Sequence, residues 1–204
     1  MVSYNDDVLP RLMDWACGAR TLAPWRQKVC NGLSGAVVEI GFGSGHNVPY
    51  YPSEVDVVYA VEPDALAMKL AKNRMANAGM SIEQIGPDGQ SIPLADESCD
   101  MALTTFTLCT VPDPAKVLLE LGRVLKPGGE LHFLEHGIAP GRALASLQRL
   151  LDPVERRFAG GCHLTRQPLT LVRGTGFQMV WSQEGPAKGP KPWSYFSLGV
   201  ATKQ

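Results

Sequence analysis

The stretch of sequence that decides the fold is Val37-Val-Glu-Ile-Gly-Phe-Gly-Ser-Gly-His46. It begins as a short apolar, β-branched strand, and the glycines that follow indicate a tight turn into a helix. Glycine lets the backbone turn sharply and lets a ligand approach the main chain. A dinucleotide-binding turn has the spacing G-x-G-x-x-G, which would put its third glycine where His46 stands. The observed spacing, G-x-G-x-G, therefore disfavours a nicotinamide dinucleotide.

A carboxylate follows the next strand. Val55-Asp-Val-Val-Tyr-Ala-Val61 is the second strand candidate, and Glu62 stands directly after it, twenty-one residues beyond Gly41. A carboxylate in this place can accept hydrogen bonds from both hydroxyls of a ribose. Open α/β sheets bind ligands at the carboxyl ends of their strands, so the pattern predicts a site for an adenosine-bearing cofactor.

Strand and helix signals alternate along the chain after this point. Residues 65–78 predict a helix that Gly79 ends, and Asp113 with Pro114 predicts the start of another. Further strand candidates lie at 81–85, 100–106 and 130–135. Such alternation implies βαβ crossovers and a mostly parallel sheet.

The last part of the chain departs from this alternation. Residues 177–184 and 193–202 are strand-like runs joined by a loop rich in glycine, proline and lysine, with no helix between them. They should therefore pair as an antiparallel hairpin. The predicted fold is α/β: a mostly parallel seven-stranded sheet with helices on both faces, ending in an antiparallel strand hairpin.

Composition limits the partners. The chain has 204 residues, 45% hydrophobic and 19% charged, which is typical of one globular domain or a little more. A net charge of −1 leaves no basic excess for a phosphate backbone, so we expect no nucleic-acid partner. No apolar run approaches the roughly 20 residues of a membrane span, and the polar start is unlike a signal peptide. We therefore expect no membrane span and a cytoplasmic location.

The cysteines are odd in number and none is in a CxxC pair. This pattern disfavours a disulfide framework and a zinc site, so we expect five reduced thiols and no metal. Cys109 and Cys162 are expected to be ordinary buried cysteines, since nothing in their sequence context indicates a lowered pKa.

Two further segments follow the glycine turn and Glu62 in the order and at the spacing of a known set of motifs. They are Gly86-Pro-Asp-Gly-Gln-Ser-Ile-Pro-Leu-Ala-Asp-Glu-Ser-Cys-Asp100 and Arg123-Val-Leu-Lys-Pro-Gly-Gly129. Together the four motifs resemble those of the class I (Rossmann-like) S-adenosylmethionine (SAM)-dependent methyltransferases. In that family the first of these two segments contacts adenine, and the second forms the turn before the fifth strand. The resemblance spans residues 36–135, and it implies SAM as the cofactor and methyl transfer as the reaction.

A finer resemblance covers most of the chain. It is carried by Leu108-Cys-Thr-Val111, Phe133-Leu-Glu-His136, Leu151-Asp-Pro153 and Gly161-Cys-His-Leu-Thr-Arg166. These segments are similar to the thiol S-methyltransferase branch, methyltransferase-like 7. The animal members carry an N-terminal membrane anchor that this sequence lacks, so the resemblance implies a soluble relative. It also implies a small, apolar thiol as the acceptor.

The resemblance assigns the cofactor contacts. Glu62 would hold the ribose, Asp88 would accept from the adenine amino group, and the Gly89 amide would meet the ring. Thr105 and Phe106, at the end of the fourth strand, would lie beside the reactive methyl group. The expected cofactor-binding residues are Tyr4, Glu39, Gly41, Phe42, Gly43, Gly45, Asn47, Glu62, Pro63, Asp88, Gly89, Thr105 and Phe106.

The N-terminal segment has a helical pattern and no strand signal. We expect residues 1–35 to form a helical lid over the cofactor, ahead of a methyltransferase domain at 36–204. The segment carries Tyr4, Trp15, Trp25 and Arg26. Of these, Tyr4 is the contact that we expect with the cofactor.

Two histidines are candidate catalytic residues. His136 ends the fifth strand near the expected acceptor pocket, and His163 lies in the loop after the next helix. A packing role competes with catalysis for both. A thiol with a pKa near ~8.5 is already partly ionised at neutral pH, so a strong protein base is not obligatory.

Several other functions fit the same motifs. The acceptor could be a quinone ring carbon or a phospholipid amine, and the chain could be a non-catalytic SAM-binding module. A nicotinamide oxidoreductase is disfavoured by His46 in the place of the third glycine. In the methyltransferase interpretation the partner is a small molecule, and a monomer is the default.

Overall fold

The computed structural model describes residues 3–204, and a single seven-stranded sheet runs through them. The strands are β1 (Gly35–Ile40), β2 (Val55–Val61), β3 (Ser81–Gly86), β4 (Cys99–Thr105), β5 (Leu125–His136), β6 (Phe177–Pro186) and β7 (Tyr195–Lys203). The α-helices are α1 (Leu9–Cys17), α2 (Ala23–Cys30), α3 (Ala65–Ala76), α4 (Pro114–Val124), α5 (Arg142–Phe158) and α6 (Pro168–Gly174).

The sheet has the order β3-β2-β1-β4-β5-β7-β6. The first five strands pair in parallel, whereas β7 lies antiparallel between β5 and β6. A short 3₁₀ turn at Lys191–Trp193 lies in the connection from β6 to β7. The predicted fold class is therefore confirmed, including the hairpin.

Local sequence explains where the helices begin. The side chain of Asp64 accepts from the amides of Leu66 and Ala67 at the start of α3. Asp113 accepts from the amide of Lys116 at the start of α4, where Pro114 occupies the first turn. Such caps satisfy amides that have no partner within the helix.

Strand β5 begins earlier than the sequence predicts. The Lys126-Pro-Gly-Gly129 stretch belongs to the strand, and the pairing with β4 shifts register between Cys99 and Met101. Gly128 has a φ of +76° there, a conformation that glycine adopts without strain. The turn signal thus marks an irregularity within a long strand.

The core lies on both faces of the sheet, because successive strand residues point to opposite sides. Val37 packs with α2 and α3 on one face, and its neighbour Val38 packs with α4 on the other. Within residues 3–204, no helix is both long and apolar enough to cross a bilayer. Parallel strands place all their carboxyl ends at one edge, and that edge holds the site.

Candidate functional site

A cavity of about 520 Å³ opens at the carboxyl ends of β1, β2 and β4. The glycine turn, Glu62 and the 87–90 loop line one side, and residues 105–107 line the other. Helix α1 covers it with Leu9, Pro10 and Met13. A more open hollow of about 630 Å³ lies near the amino ends of β2 and β3, where the described lining residues include no carboxylate or imidazole. The converging polar groups therefore place the candidate site at the carboxyl edge.

Glu62 is held by the backbone around it. Its Oε2 accepts from the Gly43 amide at 2.7 Å and its Oε1 from the Asp64 amide at 2.8 Å. The residue is 7% exposed. Burial raises the pKa of the Glu62 carboxyl, and the amides of Asp64 and Gly43 oppose that rise. Because each carboxylate oxygen has a second lone pair, the oriented side chain can still accept from a ligand in the cavity.

The glycines of the turn serve different purposes. A Cβ on Gly41, whose φ is +72°, would overlap the side chain of Thr107, so glycine there is needed by the protein's own packing. A Cβ on Gly43, with φ +57°, would meet nothing closer than the Gly41 carbonyl oxygen at 3.9 Å. Gly43 lines the cavity, so the space beside it is open to a ligand.

A buried polar network supports this turn from below. Asn47 donates to Glu39 Oε1 at 2.7 Å and to the Thr105 hydroxyl at 2.9 Å, and the Tyr51 hydroxyl donates to Glu39 Oε2. Burial raises the pKa of Glu39 to about 7, against the hydrogen bonds from Tyr51 and Asn47. Glu39 and Asn47 therefore fix the turn rather than line the cavity.

Arg26 is a site residue that sequence reasoning missed. It lies on α2, is 5% exposed and lines the cavity. Its guanidinium donates to Asn47 Oδ1 at 2.6 Å and to the Cys17 carbonyl at 3.1 Å, while the buried Nε has no protein partner. Its position on a short helix with no polar motif gave no signal in the sequence.

Phe106 has a φ of +55°, which is uncommon for a residue with a side chain. Its ring packs 5.0 Å from that of His136 and 5.1 Å from that of Phe196, and Arg26 lies over it at 5.6 Å. Phe106 thus follows β4 in a fixed orientation. Together with Thr105 and Thr107 it forms part of the cavity wall. Strain of this kind is concentrated at ligand sites.

His46 fastens α1 to the glycine turn. Its Nε2 lies 3.0 Å from Asp14 Oδ1 on α1, and Arg74 reaches the same carboxylate at 3.2 Å. Arg74 also donates to the Ser44 carbonyl at 2.7 Å. Burial lowers the pKa of His46, and the charge of Arg74 lowers it further. The residue that replaces the third glycine thus anchors the helix that covers the cavity.

The cavity brings together most of the residues expected to bind the cofactor. Those that line it are Gly41, Phe42, Gly43, Glu62, Pro63, Asp88, Gly89, Thr105 and Phe106. Asp88 is exposed and accepts from the Gln90 amide at 2.8 Å. Glu39, Gly45 and Asn47 lie behind the turn, outside the cavity lining.

Tyr4 lies elsewhere. Its hydroxyl donates to the Phe158 carbonyl at 2.7 Å, and its ring packs edge-on against that of Phe158. It is 42% exposed and does not line the cavity. The part of the N-terminal segment that covers the cavity is α1, whereas the end of α2, with Val29 and Cys30, lies in the core.

The two candidate catalytic histidines also lie outside the cavity lining. His163 lines a separate shallow groove with Arg156 and Arg157, and its Nδ1 is 3.8 Å from Asp152 Oδ2. Burial lowers the pKa of His163, and the charge of Arg166 acts in the same direction. His136 lies behind Phe106, packed against Phe196 at 5.3 Å.

Three residues from separate segments meet behind Phe106. They are Cys109 after β4, His136 at the end of β5 and Cys162 after α5. The hydrogen bond from the Cys109 thiol, together with His136, holds the pKa of Cys162 below its usual value in spite of burial. The expectation that nothing lowers the pKa of either cysteine was therefore wrong for Cys162. His136 is 27 residues after Cys109 and 26 before Cys162, so the three become neighbours only in the folded chain.

Comparison with known proteins identifies the family. A family model described as a methyltransferase domain matches residues 38–133. The chain is 35% identical over 172 residues to thiol S-methyltransferase TMT1B of Rattus norvegicus and 33% identical over 172 residues to that of Homo sapiens. These alignments cover 80% and 81% of this chain, and 66% and 69% of the two relatives. The chain thus spans about two thirds of their length.

A solved structure shows the same fold. A SAM-dependent methyltransferase from Thermotoga maritima superposes with a TM-score of 0.68 at 24% identity, over 97% of this chain and 96% of the other. The fold and the matched domain are those of the class I SAM-dependent methyltransferases. Within that class, the chain belongs to the thiol S-methyltransferase family. The resemblance inferred from the motifs is confirmed.

Proposed function

We propose that this chain binds SAM in the cavity at the carboxyl edge and methylates the sulfur of a small, apolar thiol. One observation carries the proposal: a single cavity holds both Glu62, which the Gly43 amide fixes, and an apolar wall formed by α1. The relatives named thiol S-methyltransferase support a thiol as the acceptor.

The residues present fit the cofactor. The open space beside Gly43 admits a ligand close to the main chain, and Glu62 can accept from ribose hydroxyls. Asp88 and Gly89 line the far end, where an adenine would lie. The guanidinium of Arg26, which lines the cavity, suits a carboxylate such as that of the methionyl group. When bound, SAM supplies an electrophilic methyl group on a sulfonium.

The protein's own work is then orientation and exclusion of water. Leu9, Pro10 and Met13 of α1 form a lid, which Asp14 ties to His46 and Arg74. We assign the apolar acceptor to this side, against Val111 and Ala159. Alignment of the two reactants can supply roughly 7–11 kcal/mol of a displacement barrier. A thiolate needs little help from a protein base, which agrees with the position of His136 and His163 outside the cavity lining.

Single-turnover methylation tests the acceptor. Protein loaded with radiolabelled SAM is mixed with an alkyl thiol, an aryl thiol, a primary amine or a hydroquinone at matched concentration. We expect label transfer to the thiols at rates well above those for the other two. Faster transfer to the amine or to the hydroquinone would refute the thiol. Binding of S-adenosylhomocysteine without transfer to any acceptor would instead indicate a non-catalytic module.

We also propose a monomer in a reducing compartment such as the cytoplasm. All five cysteines are free and four of them are buried, which supports a protein kept reduced. Light scattering on the purified chain tests the monomer. A mass of two chains at micromolar concentration would contradict it.

A further inference from the structure

The strongest group of chemically active side chains outside the cavity is the cluster of Cys109, His136 and Cys162. The Nδ1 of His136 lies 3.4 Å from Cys162 Sγ and 3.9 Å from Cys109 Sγ. All three donor atoms lie within 4.8 Å of one another. One nitrogen and two sulfurs thus face a common point.

The two nitrogen–sulfur distances are compatible with a tetrahedral zinc site. With Zn–S bonds of about 2.3 Å and Zn–N bonds of about 2.0–2.1 Å, tetrahedral angles place neighbouring N and S ligands roughly 3.5 Å apart and two sulfurs roughly 3.8 Å apart. The His136–Cys162 and His136–Cys109 separations are close to the first value. The ligand set of imidazole and thiolate is also the one that zinc prefers.

The fold holds the three ligands in place through their own segments. The buried carboxylate of Glu135 accepts from the amides of Thr107 and Cys109 at 3.1 and 3.3 Å, which fixes the loop after β4. The His163 amide donates to the Cys109 carbonyl at 2.8 Å, which ties that loop to the one that carries Cys162. The His136 ring is wedged between Phe106 and Phe196. A cation would therefore find its ligands already oriented.

Charge balance agrees with burial. Cys109 is 1% exposed and Cys162 is 6% exposed. Two thiolates and a neutral imidazole around a divalent cation give a site of zero net charge, which costs far less to bury than an isolated ion.

We propose that Cys109 Sγ, His136 Nδ1 and Cys162 Sγ bind one zinc ion, with the fourth position left to a non-protein ligand. The site lies behind the cavity wall formed by Phe106 and Ala159, and its occupancy does not depend on methyl transfer. The proposal departs from the expectation of no metal, which rested on the absence of CxxC spacing.

Cobalt substitution tests the site. The full-length reduced chain, stripped of metal, is titrated with Co²⁺ and then with Zn²⁺ under anaerobic conditions. We expect one Co²⁺ per chain, with the visible absorption of tetrahedral cobalt and a near-ultraviolet thiolate charge-transfer band, both removed by one equivalent of Zn²⁺. Cys109→Ser, Cys162→Ser and His136→Asn should each weaken binding at least about tenfold. Cys99→Ser, which removes a buried thiol at the start of β4, is the matched control and should bind as the wild type does.

The proposal fails if the wild type shows no thiolate charge-transfer band, or if Cys162→Ser keeps it unchanged. It also fails if Cys99→Ser loses the band equally. If the ligand variants do not fold, X-ray absorption on the zinc-loaded wild type decides the matter. Two sulfurs in the first shell with one or two nitrogen or oxygen atoms would support the site, and a shell without sulfur would overturn it.

Discussion

The two sides of the cavity are built in different ways. On the side of β1 and β2, backbone amides position a carboxylate, as the amides of Gly43 and Asp64 do for Glu62. On the side of β4 and β5, side chains from distant segments position one another, as Arg26 does with Asn47 and Thr105. The first arrangement uses main-chain groups of two motifs that the sequence shows, the glycine turn and the residues that follow the second strand. The second brings together side chains from α2, from the turn after β1 and from the end of β4.

The largest effect is expected at Glu62. Glu62→Ala removes the proposed acceptor for a ribose and leaves the amides of Gly43 and Asp64 without their partner. Hydrogen bonds to a charged group contribute roughly 1.5–3 kcal/mol each, so affinity for S-adenosylhomocysteine should fall between about tenfold and a hundredfold or more. Calorimetry measures it. Glu54→Ala, at an exposed acid just before β2, is the control and should bind normally. Unchanged affinity in Glu62→Ala would contradict the proposal that Glu62 binds the cofactor.

Arg26→Lys tests the other side. A lysine keeps the charge but cannot reproduce the planar fork that meets Asn47 and a ligand carboxylate together. We expect affinity for S-adenosylhomocysteine to fall by about tenfold, which corresponds to about 1.4 kcal/mol. Binding of methylthioadenosine, which has no amino-acid part, should change little. Arg20→Lys, at an exposed arginine of the same segment, is the control. Equal losses for the two ligands would mean that Arg26 acts only through the fold.

Gly43→Ala separates binding from folding. A methyl group at Gly43 enters open cavity space, and the positive φ adds strain of about 1–2 kcal/mol. We expect a loss of S-adenosylhomocysteine affinity of at least about threefold beyond any effect on stability. Gly128→Ala is the matched control, since Gly128 has a φ of +76° and open space around it on β5. Both variants should lower the melting temperature of the apo protein similarly. A loss of stability in Gly43→Ala without a loss of affinity would show that Gly43 is needed for folding and not for ligand binding.

The contrast between the two sides also explains what could be predicted. The strand alternation, the hairpin and Glu62 follow from local patterns, because strand period and turn residues are properties of a few neighbouring positions. Arg26 was named only as a member of the N-terminal segment and not as a contact, since a single arginine on an eight-residue helix has many possible surroundings. The meeting of Cys109, His136 and Cys162 depends on the lengths of β5 and α5, which bring their ends to one point. Tyr4 is expected at the cofactor because it is an aromatic residue of the expected lid, but its hydroxyl and ring contact Phe158 at the end of α5 instead.

The smallest effect is expected at His163. Its imidazole lies in a groove apart from the cavity, near Asp152 and three arginines, so we expect no contact with the acceptor sulfur. The single-turnover rate of His163→Ala with a thiol at saturating SAM should stay within about threefold of the wild type, far from the 10²–10⁴-fold cost of losing a general base. In both proteins the rate should rise with pH up to the pKa of the acceptor and then level off, because the thiolate is the nucleophile. An aryl thiol, with its lower pKa, should level off at lower pH than an alkyl thiol. A different outcome would contradict this expectation: a pH profile with the same midpoint for both thiols, which disappears in His163→Ala. That result would show that His163 removes the proton from the acceptor, and that a residue outside the cavity lining takes part in catalysis.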